Sequence, residues 1–323
     1  MKPATALSMI GLLTPIWQRV LQQQSIRAKD NFFDLGGDSS LALRLFNEIA
    51  QTCGRELPPV TIYQAPTIAT LAALLEQPTA PRFPTTVLMK AGAKKPTVFL
   101  AHGLGGSVID FFQPVKHIQS EYPIYGLQAK GIDGVDEPFD RIEDMAQFYL
   151  DAIKRLQAHG PYILIGYSLG GLVMLEMAQR LSADGEKIAL LAMVDAYPDA
   201  RFLSLTQRVR LTARQLKQRG LSGSTSYQAS AGVSFSPAMQ RVRDRGYLAL
   251  ARYQPRFYKG KINFVRAEIS GAFPDDPIAV WGHLAEEFEV DTVPGDHLGI
   301  ITTHYESLAA VLSQYLRGAS LSE

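Results

Sequence analysis

The chain has 323 residues, 46% of them hydrophobic and 20% charged, which is enough for about two domains with real cores. Lys+Arg total 32 against 31 Asp+Glu, and this net charge of +1 leaves no field to draw the chain onto nucleic acid or an anionic membrane. The single cysteine, Cys53, excludes a disulfide framework and points to a reducing, cytoplasmic setting, and no run of 18 apolar residues is present to span a bilayer.

The opening stretch MKPATALSMIGLLTPIW has a basic start and an apolar run, as a signal peptide would. Yet Leu13, Ile16, Trp17, Val20 and Leu21 carry a helical pattern on through Gln18 and Arg19, which predicts an amphipathic helix from about Leu12 to Gln23. A second helix is expected from near Ser39 through Leu41, Leu43, Leu45, Phe46 and Ile49, and another from Ile68 to Leu75. Four short helices at most would make a small bundle near the lower limit of independent stability. Cys53, at the end of the second helix, reads as a structural or surface thiol. Then QPTAPRFP, Gln77 to Pro84, places three prolines in eight residues and favours an extended linker. The expected division is a helical unit at 8–77, a Pro-rich linker at 78–88 and a larger unit at 89–318.

Beyond the linker, short β-rich runs fall at Thr97–Ala101, Ile124–Leu127, Tyr162–Ile165, Ala189–Val194, Ile262–Val265 and Phe288–Val293, with helical patterns between most of them. Continuous apolar strands imply burial on both faces, hence a mostly parallel sheet with helices on both sides. Ala200 to Arg256 breaks the rhythm with two or three basic amphipathic helices around GLSGSTSYQASAGVS. It reads as a helical lid inserted between two strands, at about 200–256.

The chemistry sits at the strand ends. In YILIGYSLGG, residues 162–171, a strand runs into Gly166-Tyr167-Ser168-Leu169-Gly170 and a helix follows. Glycines flank the serine because bulkier neighbours would collide on so sharp a strand-to-helix turn. The turn exposes the hydroxyl at a helix N-terminus, where the dipole favours developing negative charge. A serine needs a base, and the base an acid. His297, on the Pro/Gly loop of VDTVPGDHLGII, is the expected base. His304 lies in the helical pattern after it; His102, His117 and His159 precede the serine, and His283 comes before the last strand. For the acid, spacing leaves two residues open: Asp195, ending ALLAMVD, and Glu268, ending INFVRAE. Asp296 is too close to His297 to orient it. The turn AHGLGG at 101–106 follows the first strong strand and can offer a backbone N–H to an oxyanion; the expected donors are Leu104 and Leu169, with His102 bracing the turn.

Three segments of the first unit, IWQRVL at 16–21, DNFFDLGGDS at 30–39 and YQAPTIATLAALL at 63–75, resemble the carrier domains of nonribosomal peptide synthetases. The resemblance implies that Ser39, after Gly-Gly-Asp, bears a covalent 4′-phosphopantetheine arm. Residues 96–313, through AHGLGG, GYSLGG, MVDAYPD at 193–199 and VPGDHLGII at 293–301, resemble the type I thioesterase domains that end such synthetases, which are α/β hydrolases. In that family the acid follows the strand ending at Asp195, which places Asp195 ahead of Glu268; many relatives have proline where Gly103 stands here. The resemblance implies release of an acyl or peptidyl chain from the carrier through a Ser168 acyl-enzyme, by hydrolysis or cyclisation. It also implies two kinds of partner: a phosphopantetheinyl transferase, and an upstream adenylation, condensation or other synthase protein that loads the arm. The alternative is a carrier platform that presents its substrate in trans while the hydrolase proofreads. A monomer is expected, and Met1 just ahead of the carrier favours a free-standing chain or a designed piece.

Overall fold

The computed structural model of the chain describes residues 8–77, 82–212, 236–271 and 273–319. Four helices come first: α1 (Met9–Leu21), α2 (Ser39–Cys53), α3 (Thr61–Gln64) and α4 (Ile68–Leu75). Helix α1 starts a turn before the expected Leu12, because the Ser8 hydroxyl accepts the Gly11 N–H and caps the new end. Trp17, Leu13, Phe32, Leu45, Ile49 and Leu71 are buried in one cluster, with Phe32 edge-on to Trp17 at 5.4 Å. Cys53 is partly buried as the last residue of α2, and burial pushes its thiol pKa up, as suits a structural thiol.

The larger unit holds seven strands: β1 (Thr86–Lys90), β2 (Val98–Ala101), β3 (Ile124–Leu127), β4 (Tyr162–Tyr167), β5 (Ile188–Val194), β6 (Tyr258–Ile269) and β7 (Ala285–Asp296). Their order is β1-β3-β2-β4-β5-β6-β7, with only β1 antiparallel. Helices α6 (Ile142–Lys154) and α7 (Leu169–Ala183) cover one face, over Phe99, Tyr162 and Leu164. Helices α5 (Phe112–His117) and α9 (Tyr305–Gly318) cover the other, over Val98, Leu100 and Ile163. Strand residues alternate between the two clusters, the period-two pattern of a sheet buried on both sides.

Three strands differ from the sequence reading. Strand β1 starts at Thr86, inside the end of the expected linker, and β6 and β7 run to twelve residues each, well past their apolar centres. All three lie at or near a sheet edge, where one face meets solvent and charged residues are tolerated. Lys261 on β6, paired with Glu289 on β7 at 2.7 Å, is such a residue.

The insertion lies between β5 and β6, as expected. Its described parts are a turn at Ala200–Phe202, a helical segment at 205–212 and α8 (Pro237–Arg252), with the Ser236 hydroxyl capping α8 through the Met239 N–H. The expected Gly/Ser-rich loop at 220–234 lies outside the described residues. The basic character of α8 is used: Arg245 and Arg252 reach Asp140 at 3.5 and 2.6 Å, tying the helix to the loop before α6. Where the chain leaves the insertion, Glu176 of α7, only 2% exposed, gathers Arg180 (2.9 Å), Arg256 (3.1 Å) and the Tyr253 hydroxyl (3.1 Å). Removing that carboxylate strands a buried Tyr hydroxyl and frees two cations. Glu176→Ala is expected to cost about 2–3 kcal/mol in urea unfolding; a loss under about 0.5 kcal/mol would show that the cluster holds nothing together.

Candidate active site

Strands β2 and β4 are neighbours, and the chain winds outward from them in both directions. Their carboxyl ends therefore open a crevice at the switch point of the sheet, the usual place for a ligand in an open α/β sheet. Both motifs meet there. Ala101 of β2 pairs in register with Gly166 of β4, so the AHGLGG turn and the GYSLGG turn leave the sheet side by side.

Ser168 has φ +54° and ψ −123°, a left-handed conformation that costs a non-glycine residue strain. Close packing forces the turn. A Cβ on Gly170 would lie 2.3 Å from the His102 carbonyl oxygen, so α7 can begin this near β2 only with glycine at that position. Asp195 also has positive φ, +46°, and of three such non-glycine residues among those described, Ser168 and Asp195 are two.

A hydrogen-bonded line crosses the strand ends. His297 Nε2 is 3.1 Å from Ser168 Oγ, and His297 Nδ1 is 2.7 Å from Asp195 Oδ2. The other Asp195 oxygen accepts the Ala267 N–H at 3.1 Å, which fixes the carboxylate plane. Because Asp195 accepts at Nδ1, Nε2 is left as the basic nitrogen facing the serine. Asp195 and His297 are 1% and 8% exposed, so the attraction between them is little screened. Glu268, the other carboxylate left open by spacing, is exposed, and His304 flanks the start of α9.

Two aromatic rings that the sequence reading did not assign hold the imidazole. Tyr167 stacks on it with centroids 4.8 Å apart and donates its hydroxyl to the His297 carbonyl at 2.7 Å. Phe273 packs against it at 4.6 Å. Tyr167 stands next to the serine in the sequence, but an aromatic at the end of a strand reads first as core.

The AHGLGG turn, where the oxyanion donors are expected, is beside the serine: a Cβ on Gly103 would come within 3.6 Å of the Ser168 Cβ. Leu169 is the first residue of α7, so its N–H has no partner within the helix. The Leu104 N–H belongs to the same planar peptide as the Gly103 carbonyl, so whatever fixes that carbonyl aims the N–H. His102 Nδ1 and the Gly106 N–H both bind the Gly103 oxygen. A carbonyl only accepts, so His102 carries its proton on Nδ1, and its Nε2 accepts from the Tyr149 hydroxyl at 2.5 Å. Burial, opposed in part by the Gly103 bond, holds the His102 pKa down at about 4, so the ring is neutral. Over this turn lies α8: a Cβ on its Gly246 would meet the side chains of Leu104 at 3.0 Å and Leu169 at 3.2 Å.

Ser39 belongs to the helical unit, as the first residue of α2. Asp38 caps that helix: its Oδ1 accepts the Leu41 N–H and the Ser40 hydroxyl, both at 2.8 Å. Ser40 is thereby engaged, while Ser39 stands at a helix N-terminus, whose dipole favours a phosphodiester. The residues present fit a phosphopantetheine group at this position.

The family model for thioesterase domains matches residues 96–316. The chain belongs to the thioesterase family. Residues 12–75 match the phosphopantetheine attachment site, so the helical unit is a phosphopantetheine carrier domain. Malpibaldin synthetase of Mortierella alpina is 30% identical over 268 residues, covering 79% of this chain and 5% of that protein. A dimodular nonribosomal peptide synthase of Bacillus subtilis (strain 168) is 39% identical over 189 residues, 58% of this chain and 8% of its own length. The chain thus spans less than a tenth of these relatives. Among solved structures, the thioesterase domain of NocB, in covalent complex with a fluorophosphonate nocardicin G analogue, aligns with TM-score 0.54 and 22% identity, covering 69% of this chain and 96% of that one. A four-domain nonribosomal peptide synthetase bound to AMP and glycine aligns with TM-score 0.59 and 20% identity, covering 97% of this chain and 26% of that one. At these identities the two structures establish the fold, that of an α/β hydrolase.

The neutral His102 has a consequence for stability. In the unfolded chain it titrates near its ordinary 6.5, so between pH 6.5 and 4 the unfolded state binds a proton that the folded state refuses. This contribution to stability is complete above pH 6.5 and is lost as the pH falls toward 4. On going from pH 7 to 5, the wild type is expected to lose about 2 kcal/mol more than His102→Gln in urea unfolding. Equal losses would mean that His102 is not held neutral.

Proposed function

We propose that this chain releases an acyl or peptidyl group from a phosphopantetheine thioester on its own Ser39, through an ester on Ser168, by hydrolysis or cyclisation, within nonribosomal peptide or related biosynthesis. On this reading the carrier is the unit at 8–77 and the hydrolase extends to about 318, with the lid at 200–256. The observation that carries it is the hydrogen-bonded line from Ser168 through His297 to Asp195 in a chain that also contains a carrier domain.

Once attached, phosphopantetheine supplies a flexible arm ending in a thiol that holds the acyl group as a thioester. The chain's own residues do the rest. His297 Nε2 takes the Ser168 proton as Oγ attacks the thioester carbon. The Leu104 and Leu169 N–H groups stabilise the oxyanion that forms. As the carbon–sulfur bond breaks, His297 gives its proton to the departing sulfur, and the acyl group remains as an ester on Ser168. His297 then takes a proton from water, or from a nucleophile within the acyl chain; that nucleophile displaces Ser168 Oγ, which recovers the proton. Asp195 holds the imidazole in the tautomer each step needs and stabilises the imidazolium. A phosphopantetheinyl transferase installs the arm, and a separate adenylation, condensation or synthase activity loads it.

The test is intact-protein mass spectrometry after a promiscuous phosphopantetheinyl transferase has transferred an acylated arm from acyl-coenzyme A. Wild type should gain the acylated arm and then lose the acyl mass. Ser168→Ala should gain it and keep it, and Ser39→Ala should gain nothing. Acyl loss from Ser168→Ala at the wild-type rate, or arm gain by Ser39→Ala, would overturn the assignment. The first of these would also move the chain toward a carrier that serves another enzyme.

Tyr149→Phe removes the hydroxyl that fixes His102, and with it the aim of the Leu104 N–H. It should lower kcat about tenfold with KM little changed, since the oxyanion bond is made in the transition state. A rise in KM alone would place Tyr149 in substrate binding.

A further inference from the structure

Two consecutive aromatic pairs face each other across the boundary between the two units. In the carrier, Phe32 is fully buried against Trp17, and Phe33 points the other way. In the hydrolase, Phe111 is 3% exposed and packs edge-on to Tyr167 at 5.7 Å, while Phe112 points toward the carrier. The outward rings, Phe33 and Phe112, stack with centroids 4.6 Å apart and planes 20° from parallel. Tyr63 of α3 closes the group, 5.1 Å from Phe33 and 6.4 Å from Phe112. Around it the cores interpenetrate. Ile109 of the hydrolase is buried in the carrier's cluster, and Val60 of the carrier is buried in a hydrolase cluster.

One polar atom in this contact is unsatisfied. The Tyr63 hydroxyl is buried and has no hydrogen-bond partner among the described residues. Burial also pushes the phenol pKa up, as expected of a group removed from water. Its ring packs against both the carrier core and the hydrolase core. A carrier that leaves the hydrolase returns this hydroxyl to water, so the closed contact bears a desolvation cost that the open one does not.

We infer that Phe33 and Tyr63 of the carrier, closing on Phe112 and Ile109 of the hydrolase, form a reversible dock for release, and that the unpaired Tyr63 hydroxyl keeps it weak enough to open. The inference rests on the proposed release reaction. A carrier must visit both its loading partner and its own hydrolase. Apolar stacking holds the closed state, and the stranded hydroxyl limits its lifetime. The two features therefore make opposite predictions: deleting a ring loosens the dock, and deleting only the hydroxyl tightens it.

The experiment uses the full chain, with an octanoyl arm installed on Ser39 from octanoyl-coenzyme A. Release from the arm is compared with turnover of octanoyl-N-acetylcysteamine, a small thioester that needs no dock. Phe112→Ala should slow release from the arm about tenfold and leave the small thioester within twofold of wild type. Phe33→Ala, on the carrier side, should do the same, which guards against a hydrolase that merely folds badly. In parallel, hydrogen–deuterium exchange at 31–36 and 60–64 should speed up in Phe112→Ala and slow down in Tyr63→Phe. Equal loss on both substrates, no loss on either, or faster exchange in Tyr63→Phe would overturn the inference. If the wild type turns over neither thioester, the release reading fails, and the exchange measurements still decide whether the dock exists.

Discussion

A serine hydroxyl is a useful nucleophile only while its base is held within hydrogen-bond reach, and in the proposed reaction that reach is set by the ends of parallel strands. Ser168 follows β4, Asp195 follows β5 and His297 follows β7, and the 3.1 and 2.7 Å contacts between them exist because those ends come out at one side of the sheet. The price is local strain: Ser168 and Asp195 both take positive φ. Close packing of α7 on β2 and the bond from the Asp195 N–H to the Val265 carbonyl at 2.7 Å hold the two residues in that state.

The rest of the hydrolase supports this line. Tyr167 and Phe273 confine the imidazole, and the Tyr167 hydroxyl ties the His297 loop back to the residue before Ser168. The neutral His102, bonded to Gly103 and Tyr149, does the same for the AHGLGG turn. Helix α8, anchored by Arg245 and Arg252 on Asp140, lies over that turn. The carrier brings a small core of its own, joined to the hydrolase through Ile109, Val60 and Phe112, the last next in sequence to Phe111, which packs on Tyr167.

Much of this was legible in the sequence. The glycines of GYSLGG and AHGLGG are forced by close approach, so strand, glycines and serine together carried the two turns. The approach of His297 to Ser168 followed from its loop after the last strand. The carboxylate that meets His297 did not follow from spacing, because chain distance does not give strand order. Only the order β4-β5-β6 shows that the end of β5, with Asp195, is nearer Ser168 than Glu268 of β6 is. The family resemblance supplied what spacing could not. Tyr149 escaped because a tyrosine on the apolar face of a helix reads as core, and nothing local shows that its hydroxyl reaches His102. Phe33, Tyr63 and Phe112 escaped for a similar reason: an aromatic beside a core aromatic looks like more core until a second unit is seen against it. Strand β1 was lost to the Pro-rich stretch directly before it, and the ends of β6 and β7 to their charged residues, which a sheet edge permits.

The central claim is that carrier and hydrolase of one chain act on each other. The most direct measurement is the rate constant for acyl release from the loaded chain at protein concentrations spanning a hundredfold. Release within one chain is first order, and the account predicts a rate constant that does not change with dilution. A rate constant that rises in proportion to concentration would show that each hydrolase serves the carrier of another molecule, and would contradict it.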